Sequence, residues 1–138
     1  MSKQWLKLLY FVMANALALS AHAAGLDGHD PVSYFAGGGP TKGSSSITAE
    51  FRGEQYHFSS TANRERFVAD PEKYLPQYGG YCAYAVAKGS LAPGDPTVSR
   101  VVDGKLYLNF NRSFADRWEQ DIPGFIRSAD ANWPKIRK

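Results

Sequence analysis

Hydrophobic and polar residues alternate from residue 47 to residue 51, where Ile47, Ala49 and Phe51 are separated by polar positions. Alternation with a period of two is typical of a strand that buries one face. Residues 52–55 contain a glycine suited to a turn, and residues 56–58 resume the apolar pattern. The sequence therefore predicts a β-hairpin over this region.

A short helix is predicted directly after the hairpin. Ser60 or Thr61 can cap its first turn, since a side-chain oxygen at this position accepts a hydrogen bond from a free backbone N–H group. The helical pattern reaches Phe67 and stops before Pro71.

The same order of elements recurs in the second half of the chain. An apolar pair precedes Asp103-Gly104, a dipeptide that favours a type I′ turn, and apolar positions 106, 108 and 110 follow. Ser113 with Asp116 is similar to a capping box, so a helix is predicted to start there. These features favour an internal repeat of a hairpin followed by a helix.

The last predicted element is an amphipathic helix, because apolar residues at positions 122, 125, 126, 129 and 133 share one helical face. Asp121 can cap this helix, and Pro134 lies near its end. Residues 36–46 are rich in Gly and Ser and predict a surface loop. Together the elements predict an α+β fold, a single small domain in which two antiparallel β-hairpins pack against about three helices.

Residues 1–23 have the order of features of a secretory signal peptide. Lys3 and Lys7 give a positive start, an apolar run covers residues 8–19, and Ala21-His22-Ala23 is typical of a cleavage site. An uncleaved membrane anchor is the alternative, but about a dozen apolar residues are short for a bilayer span. We expect an exported protein, periplasmic if its source is a Gram-negative bacterium. Residues 24–138 then form the mature domain, with a C-terminal helical extension and no stable membrane anchor.

Charge does not favour a nucleic-acid partner. The full chain has 16 basic and 13 acidic residues, and removal of residues 1–23 takes away two of the basic ones. The mature chain is therefore nearly neutral, and it has no basic cluster longer than the tail at residues 135–138. A small ligand or a metal ion remains as a candidate partner, whereas the sequence identifies no protein partner.

Four short motifs resemble the YHS domain, a small module related to TRASH-type metal-binding domains. They are DPV at residues 30–32, YHFS at 56–59, DPEKY at 70–74 and YGGYCAY at 78–84. The resemblance is to the exported, stand-alone branch of the family and covers most of the chain after residue 24. It implies a non-enzymatic binding or accessory module, linked to a transition metal such as copper.

The positions that the resemblance marks for metal ligation carry no thiolates in this chain. Cysteines of metal-binding relatives fall at the positions of Ser33, Ser59 and Asn63. Neutral hydroxyl and amide groups are poor ligands for Cu(I) or Zn(II) compared with thiolate and imidazole. We therefore expect no structural zinc and at most weak binding of copper or zinc.

The good nitrogen and sulfur ligands that remain in the mature chain are His29, His57 and Cys82, with Asp30 beside the first. These residues are the candidate metal site. His57 lies in a predicted strand, where alternation turns it away from its aromatic neighbours. A surface or hydrogen-bonded histidine is the alternative for His57, and a role in capping a loop is the alternative for His29.

Cys82, the only cysteine, has three interpretations: a buried small side chain, a metal ligand, or a reactive thiol near a helix start. The last of these predicts a thiol enzyme, but no motif supplies an orienting third residue or an oxyanion hole. We therefore expect a protein that is not an enzyme, with a Cys82-dependent enzyme as the alternative.

A small-molecule pocket lined by Tyr56, Tyr81 and Tyr84 is the other alternative. Tyrosines concentrate around residues 78–84 and the predicted hairpins. Phenol rings bind small ligands by stacking and by hydrogen bonding. The competing interpretation is that these tyrosines close the edges of the core.

Overall fold

A computed structural model describes residues 23–138, in which four strands and five α-helices form one small domain. The strands are β1 Ser44–Phe51, β2 Glu54–Phe58, β3 Asp95–Val102 and β4 Lys105–Asn109. The helices are α1 Thr61–Ala69, α2 Pro71–Tyr74, α3 Ala83–Ala87, α4 Arg112–Glu119 and α5 Ile122–Ile136. The predicted α+β class is confirmed, with three longer helices and two short ones. The predicted signal peptide lies, except for Ala23, outside the described residues.

Each pair of successive strands forms its own two-stranded antiparallel sheet. The register of both hairpins is interrupted at the same place, between Ser44 and Thr48 in β1 and between Asp95 and Ser99 in β3. One helix follows each hairpin, α1 after the first and α4 after the second. The predicted repeat of a hairpin and a helix is therefore confirmed. We call residues 25–69 the first unit; the second unit is residues 77–119.

The two hairpin turns have the same backbone conformation. The φ angle is 52° at Arg52 and 82° at Gly53, and it is 50° at Asp103 and 74° at Gly104. Positive φ at both central residues is the geometry of a type I′ turn, so the turn predicted at Asp103-Gly104 is confirmed. The first turn is shorter than predicted, because β2 already begins two residues after Arg52.

The start of α4 differs from the prediction. Its cap is Asn111, whose side-chain oxygen accepts a hydrogen bond from the N–H of Phe114 at 2.9 Å. Ser113 therefore lies inside the helix. Asp116 forms an ion pair with Arg112 instead of completing a capping box.

The glycine-rich loop ends earlier than predicted, because β1 begins at Ser44. Lys42 already forms an isolated β-bridge with His29. Gly43 then lies against the backbone of β2, where a Cβ atom would overlap main-chain atoms. Residues 42–46 are thus tied to the sheet, and only residues 36–41 remain as a loop.

The core consists of one hydrophobic cluster in each unit and a third that connects them. Phe58 and Phe67 are fully buried in the first unit, with ring centroids 5.2 Å apart. Trp118 of α4 holds the corresponding place in the second unit, where α5 joins the cluster. The connecting cluster includes Tyr34 of the first unit and Leu106 of β4. Phe110, predicted to alternate inward, lies beyond the end of β4 and is exposed.

Candidate functional site

Each unit begins with a tight turn that has two consecutive residues in the left-handed region. In the first unit these are Leu26 and Asp27, with φ of 56° and 51°. In the second unit they are Tyr78 and Gly79, with φ of 60° and 61°. The two turns, called entry turns below, are Gly25–Gly28 and Gln77–Gly80. The internal repeat therefore extends to the backbone that leads into each unit.

An open cleft of about 890 Å³ lies where the two units meet. Both entry turns line it, together with the first hairpin turn and the segment that joins the units. Leu108 of β4 and Trp133 of α5 contribute apolar surface. A second groove, beside Tyr74, has a volume of only about 290 Å³. We call the larger one the inter-unit cleft.

Unfavourable backbone conformations concentrate at the inter-unit cleft. Five non-glycine residues in the described part of the chain have positive φ, and four of them line the cleft: Leu26, Asp27, Arg52 and Tyr78. The left-handed region costs a residue with a side chain roughly 1 kcal/mol or more, so it persists only where the surrounding structure imposes it. Such conformations cluster at binding sites, which makes this cleft the first candidate.

Tyr56 reaches the cleft from the first unit. It is 8% exposed, and its ring lies so close to Gly25 that a Cβ atom there would overlap the ring. Unlike the hydroxyls of Tyr34 and Tyr78, its hydroxyl makes no hydrogen bond within the described residues. Burial raises the pKa of Tyr56, and the negative charge of Glu54 raises it further. A neutral phenol with an unused hydrogen-bonding group is therefore available to a ligand.

Tyr78 lines the cleft from the second unit and is already bonded. Its hydroxyl donates to a carboxylate oxygen of Asp130 at 2.8 Å, and its ring centroid lies 6.1 Å from that of Trp133. Burial, followed by this hydrogen bond, raises the pKa of Tyr78. Tyr78 therefore lines the cleft as an uncharged side chain that Asp130 and Trp133 hold in place.

The charged residues that line the cleft are Asp27, Arg52, Glu54 and Glu72. Arg52 forms an ion pair with Glu72, and both side chains are well exposed. Neither Asp27 nor Glu54 forms an ion pair with another described residue. Among the described side chains, two carboxylates thus remain without an ion-pair partner. Cleavage before Ala24 would add the ammonium group of that residue, which also lines the cleft, so three carboxylates would face one guanidinium and one ammonium and the net charge would stay negative.

Of the three tyrosines predicted to share a pocket, only Tyr56 lines the inter-unit cleft. Tyr81 packs against Trp133, with ring centroids 5.9 Å apart. Tyr84 packs edge-on against Phe125 at 5.2 Å. For Tyr81 and Tyr84 the competing interpretation holds, because both rings pack around the core of the second unit.

Asp30 is the centre of a buried hydrogen-bond network in the first unit. Its carboxylate accepts from the N–H of Val32, from the N–H and hydroxyl of Ser59, and from the side-chain amide of Asn63, at 2.7 to 2.9 Å. The hydroxyl of Ser33 donates to the main-chain oxygen of Asp30 at 2.6 Å. Asp30 itself is fully buried.

The network brings together the three positions that the resemblance marks for metal ligands, Ser33, Ser59 and Asn63. Ser33 donates through its hydroxyl to the main-chain oxygen of Asp30. Ser59 and the side-chain amide of Asn63 donate to the carboxylate of Asp30, which therefore already has hydrogen-bond partners. A soft metal needs thiolate or imidazole electron pairs, which this cluster lacks. The cluster therefore does not fit copper or zinc.

The three candidate metal ligands are not gathered at one place either. Within residues 23–138, no group of three His, Cys, Asp or Glu side chains is arranged to hold a metal ion. His29 is buried, and its Nδ1 lies 2.9 Å from the main-chain oxygen of Leu26. His57 lies beside Gly28, on the opposite face of β2 from its buried aromatic neighbours.

Cys82 is fully buried, as the first of its three interpretations predicted. Its thiol donates to the side-chain oxygen of Asn109 at 3.4 Å, and the same oxygen accepts from the N–H of Tyr84 at 3.0 Å. Cys82 occupies the place in the second unit that Asp30 occupies in the first. A thiol sealed in this position is closed to a substrate, which leaves the thiol-enzyme interpretation without support.

The sequence patterns do not identify most of the residues that line the cleft. Asp27, Arg52 and Glu54 belong to turns or their edges, and Tyr78 stands out only as part of a motif. The available signal is the pair of segments GLDG and QYGG, whose glycines indicate tight turns. Nothing in the spacing indicates that these turns, far apart in the sequence, meet in the fold.

Comparisons add no family assignment: no protein-family model, curated protein or solved structure matches this chain. The resemblance to the YHS domain therefore remains a hypothesis that rests on its four motifs. In the described part of the chain, no helix has the length and apolarity required to cross a bilayer.

Proposed function

We propose that this protein is an exported, non-enzymatic binding module of YHS type, whose ligand site is the inter-unit cleft. The observation that carries the proposal is the coincidence of the inter-unit cleft with the strained backbone of both entry turns. Ligand sites are usually concave and largely preformed, with apolar walls and a few polar groups that fix orientation. Leu108 and Trp133 supply apolar wall, and Tyr56 supplies the polar group.

A binding role agrees with the placement of the other candidate residues. Cys82 is buried and its thiol is bonded to Asn109, so the inter-unit cleft contains no nucleophilic thiol. Handling of copper or zinc is supported by the sequence resemblance alone. We therefore propose an organic molecule as the ligand to test first, and a transition metal as the second candidate.

Native mass spectrometry of the protein purified from its own exported compartment tests this function. The wild type is compared with Glu54→Trp, which fills the cleft beside Tyr56, and with Gln55→Trp as a matched control. Gln55 is the next residue of β2, is exposed and does not line the cleft. The intact mass also reports whether the chain starts at Ala24.

We expect a small organic adduct on the wild type and on Gln55→Trp, and its loss from Glu54→Trp. Thermal melts of both variants show whether the fold is retained. An adduct that persists in Glu54→Trp would place the site elsewhere, and a wild type without any adduct would count against a resident ligand.

A further inference from the structure

Two carboxylates and one unbonded phenol face the same space. Asp27 lines the inter-unit cleft from the first entry turn, and Glu54 lines it from the start of β2. Tyr56, two residues further along β2, is nine-tenths buried and has a hydroxyl that no described residue uses. This combination goes beyond an acidic surface patch, because the side chain of Tyr56 is itself nine-tenths buried and lines the same cleft.

The nearby basic groups offset only part of the negative charge of the cleft, even with the ammonium group that Ala24 would gain on cleavage. Arg52 is held by Glu72 across the rim of the cleft. The ammonium group of Lys42 donates to the main-chain oxygen of Asp27, and Lys42 does not line the cleft. A negative potential inside a cleft attracts cations more strongly than the same charges do on an open surface.

The geometry points to an organic cation as the ligand of the inter-unit cleft: a protonated amine attached to an aromatic or aliphatic group. The ammonium would lie near Asp27 and Glu54 and donate a hydrogen bond to the Tyr56 hydroxyl oxygen, a lone-pair acceptor. The apolar part would contact Trp133 and Leu75, two half-buried residues that line the cleft. This inference rests on the proposed function, since it assigns a ligand class to the same cleft.

Calorimetric titration with three probes of similar size tests the ligand class. The probes are 2-phenylethylammonium, 2-phenylethanol and 3-phenylpropionate, which are cationic, neutral and anionic at pH 7. We expect the cation to bind about tenfold more tightly than the alcohol at low ionic strength, and the anion to bind more weakly than the alcohol. The advantage of the cation should shrink as salt is added.

Variants of Asp27, Glu54 and Tyr56 test whether these residues cause the preference for the cationic probe. The double variant Asp27→Asn/Glu54→Gln should bring the affinity for the cation to within about threefold of that for the alcohol. Tyr56→Phe should weaken the binding of the cation severalfold, because it removes an unbonded hydroxyl from a residue that lines the cleft. Glu65→Gln, an exposed change on α1 outside the cleft, is the control and should leave all affinities unchanged.

The possible failures separate the inference from the proposed function. Equal binding of all three probes that Glu54→Trp abolishes would refute the cation class and keep the cleft as a binding site. Binding of the cation that Glu54→Trp does not affect would refute both. Absence of heat from every probe would overturn the cation inference, and the native mass spectra would then decide the proposed function alone.

Discussion

The buried carboxylate of Asp30 accepts hydrogen bonds from both the backbone N–H and the hydroxyl of Ser59, at 2.8 and 2.7 Å. Ser59 immediately precedes Ser60, the cap of α1. The pair therefore attaches the segment that follows the first entry turn to the start of the helix that closes the first unit. A negative charge near a helix N-terminus is also favoured by the helix dipole.

Replacement of Asp30 by Ala should destabilise the protein by about 3 kcal/mol, because four buried or half-buried donors would lose their acceptor. Urea unfolding at pH 7 measures the change. Asp70→Ala is the matched control, since Asp70 is exposed and its side chain does not cap α2. We expect the control to change stability by less than about 0.5 kcal/mol. Equal effects of the two substitutions would contradict the role assigned to Asp30.

Gly43 and Gly94 hold corresponding positions, each directly before the first strand of its unit. A Cβ atom on Gly43 would lie 2.5 Å from the backbone nitrogen of Phe58, and one on Gly94 would lie 2.7 Å from the Cβ of Leu108. Gly43→Ala and Gly94→Ala should therefore each cost about 2 kcal/mol or more, because the backbone must move.

Gly38→Ala is the control for these glycines, since a Cβ atom there meets no other atom within 4 Å and its φ is not positive. This substitution should leave the urea midpoint unchanged or raise it slightly. If Gly43→Ala and Gly94→Ala change the urea midpoint as little as Gly38→Ala does, then Gly43 and Gly94 do not lie as close to Phe58 and Leu108 as described.

The repeat of hairpin and helix was predictable because each part depends on nearby residues. Asp103-Gly104 requires only its own dihedral angles, and Ser60 needs a partner three residues away. Contacts across the chain were not predictable in the same way. The inter-unit cleft is lined by residues of both units, such as Tyr56 and Tyr78. No local sequence pattern indicates that these residues lie near each other in the fold.

Position alone also did not reveal which polar residues would be buried. Ser33, Ser59 and Asn63 were identified as a set only through the family resemblance, and their common partner is Asp30. The pairing of Cys82 with Asn109 depends on the packing of β4 against the start of α3. Such choices follow from tertiary packing, which overrides the preferences of single residues.

Stability should fall at alkaline pH because of Tyr34 and Tyr78. Burial, the largest cause, raises the pKa of both phenols above 10 in the folded state. The stabilisation is complete below the unfolded pKa of about 10, and it is lost as the pH rises above that value, because the unfolded state releases its protons first. At pH 11 the loss should be on the order of 1 kcal/mol for each tyrosine.

Urea unfolding at pH 8 and pH 11 measures this loss, and the double variant Tyr34→Phe/Tyr78→Phe should show a smaller fall than the wild type. The two substitutions also remove hydrogen bonds to Pro96 and Asp130, so the difference between the two pH values is the quantity compared. An equal fall in the wild type and the double variant would contradict the prediction.

A metal chelator should leave the fold intact. The cluster around Asp30 does not fit a soft metal, and small zinc-dependent domains unfold when their metal is removed. Circular dichroism with and without EDTA tests this expectation. Titration with Cu(I) and Zn(II) under reducing conditions should show weak binding that depends on His29, His57 or Cys82. Unfolding by the chelator would show that the fold depends on a metal. Tight metal binding that survives His57→Ala and Cys82→Ser would show that the metal ligands are other residues.

Amide chemical-shift mapping tests the central claim most directly, because it locates a bound ligand whatever the chemical identity of that ligand. Uniformly ¹⁵N-labelled protein is titrated with a fragment library, with 2-phenylethylammonium included as one probe. We expect the fragments that bind to shift the amide signals of Leu26 and Gly79 together, since both entry turns line one cleft. Shifts confined to the groove beside Tyr74, or to one entry turn without the other, would contradict a ligand site between the two units.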